Sequence, residues 1–191
     1  LSLHVAGGML ETCPDGVWLV ELAALSDPGL LQQILATTLG VREEVGQPIL
    51  TTITDFLYAK SVLFVLDNCE HLIEACAQLC ESLLRACPKI HILASSREAL
   101  GIAGESAYLV PSLGFPNPDH LPPLDELLLL DAVRLFVERA ATAQPKFTLT
   151  SQNAPAVAQV CKRLDGIPLA IELAAARVKV LSVEQIAARL G

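Results

Sequence analysis

The feature that most constrains the fold is the run VLFVLDNCEH at residues 62–71, which is apolar up to an acidic residue and then leads into a helical pattern. Strands of a parallel sheet are covered on both faces and therefore read as unbroken apolar runs. The run predicts such a strand, with Asp67 at its carboxyl end. Because ligands of open α/β sheets bind beyond these ends, and Mg²⁺ prefers fixed oxygen ligands, Asp67 is a candidate metal ligand.

The chain has 191 residues, which is enough for one large domain or for one domain with a small appendage. Hydrophobic residues make up 52% and charged residues 18%, so there is enough apolar surface to bury a core. The sequence has no apolar run of roughly 20 residues and no signal-peptide pattern, so we expect no membrane partner and a cytoplasmic location. The net charge of −8 argues against direct contact between this segment and nucleic acid.

Six cysteines raise the question of a metal site. Four of them, Cys69, Cys76, Cys80 and Cys87, have spacings that line one face of a helix, and no CxxC pair accompanies them. This pattern favours reduced cysteines in the core of a cytoplasmic protein over a metal centre.

Apolar runs and helical patterns alternate in residues 1–112 and predict βαβ units in a doubly wound parallel sheet. The predicted strands are GVWLVELAAL at 16–25, the run ending at residue 67, IHILASSRE at 90–98 and AYLVPSL at 107–113. The predicted helices cover residues 28–40, 47–59 and 70–86. Asp27 and Pro28 form the start signal of the first helix, and Gly40 forms its end.

The character of the sequence changes after this region. Residues 113–124 contain four prolines and are predicted to be a linker, and residues 125–191 are helical in period. The predicted helices cover residues 127–143, 154–164, 168–181 and 183–190. Ser182 and Gln185 form a capping-box signature at the start of the last one. We therefore predict a second, all-helical subdomain.

A second candidate site residue is Arg97, at the carboxyl end of the strand predicted at 90–98. Parallel strands end at the same edge of a sheet, so we expect Arg97 on the edge that carries Asp67. A guanidinium there can form paired hydrogen bonds with a terminal phosphate. The alternative is a surface ion pair with Glu98 or Glu105.

A third candidate is GIPLAIELAAARV at residues 166–178, which joins two predicted helices. In a purely structural role, Gly166 ends one helix and Pro168 suits the first turn of the next. As a ligand element, Pro168 and Leu169 offer a rigid apolar surface to a flat base such as adenine.

In this order, the motifs resemble a known family. LFVLDNCEHL, ILASSREALGIAGE and GIPLAIELAAARVKVLSVEQIAARL are similar to STAND-class P-loop NTPases, the signal-transduction ATPases with numerous domains, which are NB-ARC-like and related to AAA ATPases. The likeness is strongest to the ATPase segment of bacterial LuxR-type and SARP-type transcriptional regulators, and GVWLVELAALSDP resembles the second strand of that segment. The resemblance implies a three-layer α/β fold of P-loop NTPase type with a parallel sheet, followed by a small helical lid subdomain.

The resemblance also implies a role for each candidate residue. Asp67 would be the Walker B ligand of Mg²⁺. Asn68 stands where many members carry a second acid, so Glu70 is the predicted substitute for the catalytic carboxylate. The implied contacts with ATP or ADP come from Arg97 as a sensor of the γ-phosphate, and from Gly166, Pro168 and Leu169 at the adenine.

The chain departs from the family in one respect, because it contains no G-x-x-x-x-G-K-[ST] motif to cradle phosphate. In the family this P-loop lies immediately before the helix that begins here, so we expect Leu1 to be a cut point with the P-loop and first strand left behind. That strand would lie between those of Arg97 and Tyr108. We therefore expect the fragment to be unstable or to aggregate, and not to bind ATP or Mg²⁺ measurably.

The function implied by the resemblance is an ATP/ADP-dependent conformational switch with slow hydrolysis in a multidomain bacterial regulator. The parent would be an ATPase, and the fragment would be inactive. Expected partners are nucleotide, other domains of the parent, including DNA-binding and helical-repeat domains, and further copies of the protein when ATP is bound. One alternative is a degenerate interaction scaffold that binds no nucleotide, which Asn68 and the missing loop favour. Another is an AAA-type ATPase, which would need a second acid beside Asp67.

Overall fold

The computed structural model describes residues 1–190 and divides into two compact units. The first unit, Leu1–Tyr108, contains the sheet, and we name it the α/β unit. The second unit begins at Leu109; its described residues form helices and loops, and we name it the helical unit. Within residues 1–190, no helix has both the length and the apolar character needed to cross a membrane.

Three parallel strands form the sheet: β1 (Val17–Glu21), β2 (Leu63–Asp67) and β3 (His91–Ala94). β2 lies in the middle, where Val65 is paired with Leu19 of β1 and with Leu93 of β3. The apolar residues of β2 are all buried, as expected for a strand that is covered on both faces. The predicted strand is therefore confirmed, with Asp67 as its last residue.

Apolar side chains cover both faces of β2. Phe64 and Leu66 belong to the main core, which includes residues from the helices on that face. Leu63 and Val65 point the other way, into a smaller cluster that contains Ala6. The helices of this unit are α1 (Ser2–Gly8), α2 (Leu31–Leu39), α3 (Ile49–Leu57) and α4 (Ile73–Ala86), with 3₁₀ helices at Pro28–Leu30 and Cys69–His71.

The helix signals around α2 act as the sequence predicts. The Asp27 carboxylate accepts a hydrogen bond from the backbone N–H of Gly29 at 2.9 Å, which caps the 3₁₀ helix that leads into α2. Gly40 ends α2 in the left-handed conformation, with φ 68°. Both predictions are confirmed.

The strand predicted at residues 107–113 is wrong, because the structure has no strand there. Residues 107–112 make no backbone hydrogen bond within the described part of the chain. A strand exists only where a neighbouring strand satisfies its backbone groups. Tyr108 and Leu109 are instead 79% and 92% exposed.

The helix predicted at residues 70–86 is interrupted. The 3₁₀ helix Cys69–His71 stops at Leu72, whose backbone leaves the helical region at φ −134° and ψ 27°, and α4 starts one residue later. Leu72 and Cys69 are both buried in the main core. Packing of these two side chains therefore overrides the helical pattern of the sequence at this point.

The helical unit contains α5 (Leu124–Leu127), α6 (Asp131–Ala143), α7 (Ala154–Arg163), α8 (Pro168–Ala175), a 3₁₀ helix (Ala176–Lys179) and α9 (Val183–Arg189). The helix predicted at 127–143 is broken because Leu130 is extended, and the one predicted at 168–181 changes to 3₁₀ after Ala175. The capping box of Ser182 and Gln185 is confirmed. Phe136 is fully buried at the centre of this unit's core, beside Phe147.

Candidate functional site

Asp67 lies at the carboxyl end of the central strand, half-buried. Its carboxylate oxygen Oδ1 accepts a hydrogen bond from the Ser95 hydroxyl at 2.5 Å. A short distance is typical of a hydroxyl group that donates to a carboxylate oxygen. Its other oxygen, Oδ2, has no protein hydrogen-bond partner among residues 1–190. The parallel sheet thus leaves one oxygen of Asp67 open to a ligand at the edge where ligands of such sheets bind.

The chain turns sharply directly after Asp67. Asn68 adopts the left-handed conformation, with φ 68° and ψ 55°, which is uncommon outside glycine but tolerated by asparagine. The turn brings Glu70, which is half-buried, to the same end of the sheet. Nε2 of His71 forms a 2.8 Å hydrogen bond with the carbonyl oxygen of Leu25, so this histidine ties the turn to the loop after β1.

Arg97 lies three residues beyond the end of β3, and its guanidinium is directed towards the turn after β2. Its Nε is 3.5 Å from Oε1 of Glu70, and its side chain is 89% exposed. Neither Glu98 nor Glu105, the partners of the surface alternative, is paired with it. The fold therefore pairs two predicted site residues that are distant in sequence, Arg97 and Glu70, and Glu70 closely follows Asp67 in the chain.

Glu105 binds backbone groups of the loop after Arg97 and does not pair with the Arg97 side chain. Its carboxylate accepts backbone hydrogen bonds from Leu100 at 2.9 Å and from Gly101 at 2.7 Å. These bonds, led by the one from Leu100, lower the pKa of the Glu105 carboxyl. The carboxylate thus fixes the turn that follows Arg97.

The donor set at the sheet edge fits Mg²⁺ only in combination with further ligands. Mg²⁺ is usually held by one or two carboxylates together with phosphate oxygens and waters. Asp67 supplies such a carboxylate, while no group of three or more His, Cys, Asp or Glu in the described part of the chain could hold a metal ion. An open depression of about 430 Å³ lies beside Glu70 and the first turn of α4, and its lining includes Glu98 and Glu74.

In the helical unit, Gly166 is buried and left-handed, with φ 66°. A Cβ atom at this position would collide with the carbonyl oxygen of Leu113, so only glycine fits. The Gly166 carbonyl accepts a hydrogen bond from the Leu113 N–H at 2.9 Å. Pro168, which begins α8, and Leu169 are both exposed, so these two side chains are free to contact a ligand.

Ser95 donates a hydrogen bond directly to the Asp67 carboxylate and is not among the site residues predicted from the sequence. The sequence did carry a signal for Ser95, since it is the first polar residue after the apolar run at residues 92–94 of β3, just as Asp67 is the first polar residue after the apolar run of β2. Serines are common at strand ends, however, and the pairing register that places Ser95 beside Asp67 is a tertiary property.

The six cysteines are all buried and free, so their predicted place in the core is confirmed. Burial raises the pKa of the Cys80 and Cys161 thiols to about 12. A hydrogen bond with Cys76, together with burial, raises the pKa of Cys69. Thiols with raised pKa values stay protonated and unreactive at neutral pH.

Fold and site together define an open parallel α/β sheet with a carboxylate site at its carboxyl edge, joined to a helical unit. No family model matches the chain. It is similar to "Putative HTH-type transcriptional regulator Rv0890c" of Mycobacterium tuberculosis, with 43% identity over 173 residues, which are 91% of this chain and 18% of that protein. A Mycobacterium bovis protein, "Putative HTH-type transcriptional regulator Mb0914c", matches with the same figures.

"Uncharacterized protein Rv0894" of Mycobacterium tuberculosis is 38% identical over 191 residues, which are 100% of this chain and 45% of that protein. The chain thus spans less than half the length of these curated relatives. The names of the first two are consistent with a transcriptional regulator.

Proposed function

We propose that this chain is the ATP/ADP-dependent switch module of a multidomain bacterial transcriptional regulator, with a sheet of P-loop NTPase type and slow hydrolysis. The observation that carries the proposal is Asp67 at the carboxyl end of the central parallel strand, with one carboxylate oxygen open, followed by a turn whose Glu70 pairs with Arg97. This is where open α/β sheets bind their ligands. The names of the relatives supply the regulatory context.

In this proposal Asp67 would hold Mg²⁺ through its open oxygen Oδ2, and the ion would supply positive charge that stabilises the phosphates of ATP. Glu70 is the carboxylate that orients the attacking water, because Asn68 is neutral. A single carboxylate ligand from this chain would be enough, since Mg²⁺ in proteins is usually held by one or two carboxylates together with substrate phosphates and waters.

Arg97 is the proposed sensor of the γ-phosphate. Its present partner is Glu70, at a distance of 3.5 Å and with the arginine almost fully exposed, so this ion pair is weak and easily exchanged. A γ-phosphate offers the guanidinium two charged acceptors, and ADP removes them. ATP and ADP would therefore leave Arg97 with different partners, which is the differential contact that a switch requires.

The helical unit carries the residues for which the family resemblance implies contact with adenine. Pro168 and Leu169 present an exposed apolar surface at the start of α8. Gly166 would act indirectly, because it is buried and sets the direction in which this helix starts. The resemblance implies that a P-loop cradles the phosphates, and these 191 residues contain no such motif.

The test is calorimetric titration of the complete gene product with ATP and with ADP, each with Mg²⁺ and with EDTA. We expect Asp67→Asn to weaken binding of Mg²⁺-ATP by at least about tenfold and to change binding in EDTA little. The matched control is Asp55→Asn, which changes an exposed aspartate of α3 in the same unit. A protein that binds neither nucleotide would contradict the proposal and favour the interaction scaffold.

A further inference from the structure

We infer that Ser95 is a positioning residue, which holds the Asp67 carboxylate and the turn after it in the geometry that binds Mg²⁺. The inference rests on the proposed function of Asp67 and adds a residue for which that proposal gives no role. Ser95 is the first residue after β3 and is half-buried.

Ser95 forms four hydrogen bonds, and they reach four consecutive residues of the neighbouring chain segment. Its N–H donates to the Leu66 carbonyl at 2.9 Å, and its carbonyl accepts from the Cys69 N–H at 2.9 Å. Its hydroxyl donates to Oδ1 of Asp67 at 2.5 Å and accepts from the Asn68 N–H at 3.0 Å. Two of these four bonds depend on the side chain, and both are lost in Ser95→Ala.

The hydroxyl bond to Oδ1 fixes the rotation of the Asp67 carboxylate. A carboxylate without a partner rotates about its last bond and presents either oxygen to solvent. With Oδ1 occupied by Ser95, Oδ2 is the oxygen left open. Groups that orient a metal ligand in this way commonly change metal affinity by about 10- to 100-fold when they are removed.

The second hydroxyl bond acts on the backbone. Asn68 is held in the left-handed region, which few residues other than glycine and asparagine adopt. The Asn68 N–H donates to Ser95, so the same oxygen atom stabilises the strained turn and orients the metal ligand before it. The hydroxyl therefore links the end of β3 to both Asp67 and Asn68.

The experiment compares Ser95→Ala, Ser95→Thr and Ser96→Ala in the complete gene product. Ser96 is the matched control, because it is the adjacent residue, is exposed, and only accepts a 3.3 Å hydrogen bond from the Glu98 N–H. The readout is the Mg²⁺ concentration that gives half of the metal-dependent gain in ATP affinity. Circular dichroism and the nucleotide affinity in EDTA report whether each variant is folded.

We expect Ser95→Ala to raise this Mg²⁺ concentration by about 10- to 100-fold while the affinity in EDTA stays unchanged. Ser95→Thr keeps the hydroxyl and should therefore need a Mg²⁺ concentration close to that of the wild type. Ser96→Ala should match the wild type. If Asp67→Asn abolishes the metal-dependent gain while Ser95→Ala leaves it intact, the role of Ser95 is refuted and the proposed function stands. If the wild-type protein shows no such gain, both fail.

An equal loss of affinity in EDTA and in Mg²⁺ would also overturn the inference, because it would show that Ser95 maintains the fold and has no specific effect on the metal. If Ser95→Ala does not fold, Ser95→Thr decides the question. A threonine variant that is folded but has lost its Mg²⁺ response would contradict the role assigned to the hydroxyl.

Discussion

The two units of the chain differ in charge as much as in structure. The α/β unit carries 13 acidic and 5 basic side chains, a net charge of −8, whereas the helical unit carries 8 of each and is neutral. The whole charge of the chain therefore belongs to the unit that contains Asp67, Glu70 and Arg97. An acidic surface attracts divalent cations and repels a bare nucleotide. A nucleotide that binds here would need Mg²⁺ and additional cationic groups.

The units also differ in how their candidate residues are held. In the α/β unit, polar side chains from two strand ends bond one another, as Ser95 does with Asp67. In the helical unit, Gly166 is fixed by its lack of a side chain, and Pro168 and Leu169 are exposed apolar surface. The first arrangement suits a charged ligand, and the second suits a flat apolar one.

The largest expected effect is the loss of stability when a core phenylalanine is removed, and it can be used to test whether the two units unfold independently. Phe64 in β2 and Phe136 in α6 are both fully buried, and they belong to separate cores. Each change to alanine should cost about 3–5 kcal/mol of the unfolding free energy, since it removes a large buried ring and leaves a cavity. Hydrogen exchange with mass spectrometry should show that Phe64→Ala loosens only the α/β unit and Phe136→Ala only the helical unit. Loss of protection in both units from either change would show a single cooperative structure.

A stability change of intermediate size is expected when Glu105 is replaced. The pKa of its carboxyl is lowered, and this residue has no catalytic role in our proposal. A carboxyl with a lowered folded pKa contributes stability above its unfolded pKa, and this contribution is lost as pH falls through the folded value. Because the Glu105 side chain is exposed and solvent screens its bonds, Glu105→Gln should destabilise the α/β unit by at most about 1 kcal/mol at neutral pH and by less in acid. Denaturant titrations at several pH values measure this difference.

The control for Glu105→Gln is Glu98→Gln, because the Glu98 side chain makes no hydrogen bond or ion pair among residues 1–190. It should leave stability unchanged at every pH. If the difference in unfolding free energy between Glu105→Gln and the wild type became larger in acid, the assigned carboxylate contacts would be contradicted.

The smallest expected effect compares one ion pair from each unit. Arg97 pairs with Glu70 at 3.5 Å, and Arg139 pairs with Glu172 at 3.0 Å; both are exposed at the arginine. Arg97→Ala and Arg139→Ala should each change stability by less than about 1 kcal/mol, because solvent screens such pairs. In ATP and ADP titrations, however, only Arg97→Ala should reduce the preference for ATP. An equal response of both variants would remove the proposed sensor role from Arg97.

The predictions that are confirmed concern features whose contacts are made by residues close in sequence. The β2 strand, the Asp27 cap, the Gly40 end of α2 and the Ser182 capping box each depend on residues within a few positions. The predictions that are wrong concern features that depend on residues distant in sequence. The strand predicted at 107–113 lacks a partner, and the helix at 70–86 is broken where core packing takes Leu72 out of the helical region.

The candidate site divides in the same way. Asp67 follows from an apolar run that ends in an acid, so the sequence alone pointed to it. The contacts of Ser95 with Asp67, and of Arg97 with Glu70, span 28 and about 27 residues of sequence. No periodicity encodes such pairings, because they arise from the register of β2 against β3 and from the left-handed turn at Asn68.

By itself, the sequence determined the alternation of strands and helices, the buried central strand and its terminal aspartate, because these follow from local apolar patterns and residue types. The tertiary structure alone decided which polar groups meet at the end of that strand and which oxygen of Asp67 stays open. The physical reason is that hydrogen bonds at a sheet edge depend on angstrom-scale register between strands, whereas hydrophobic patterning specifies only which face is buried.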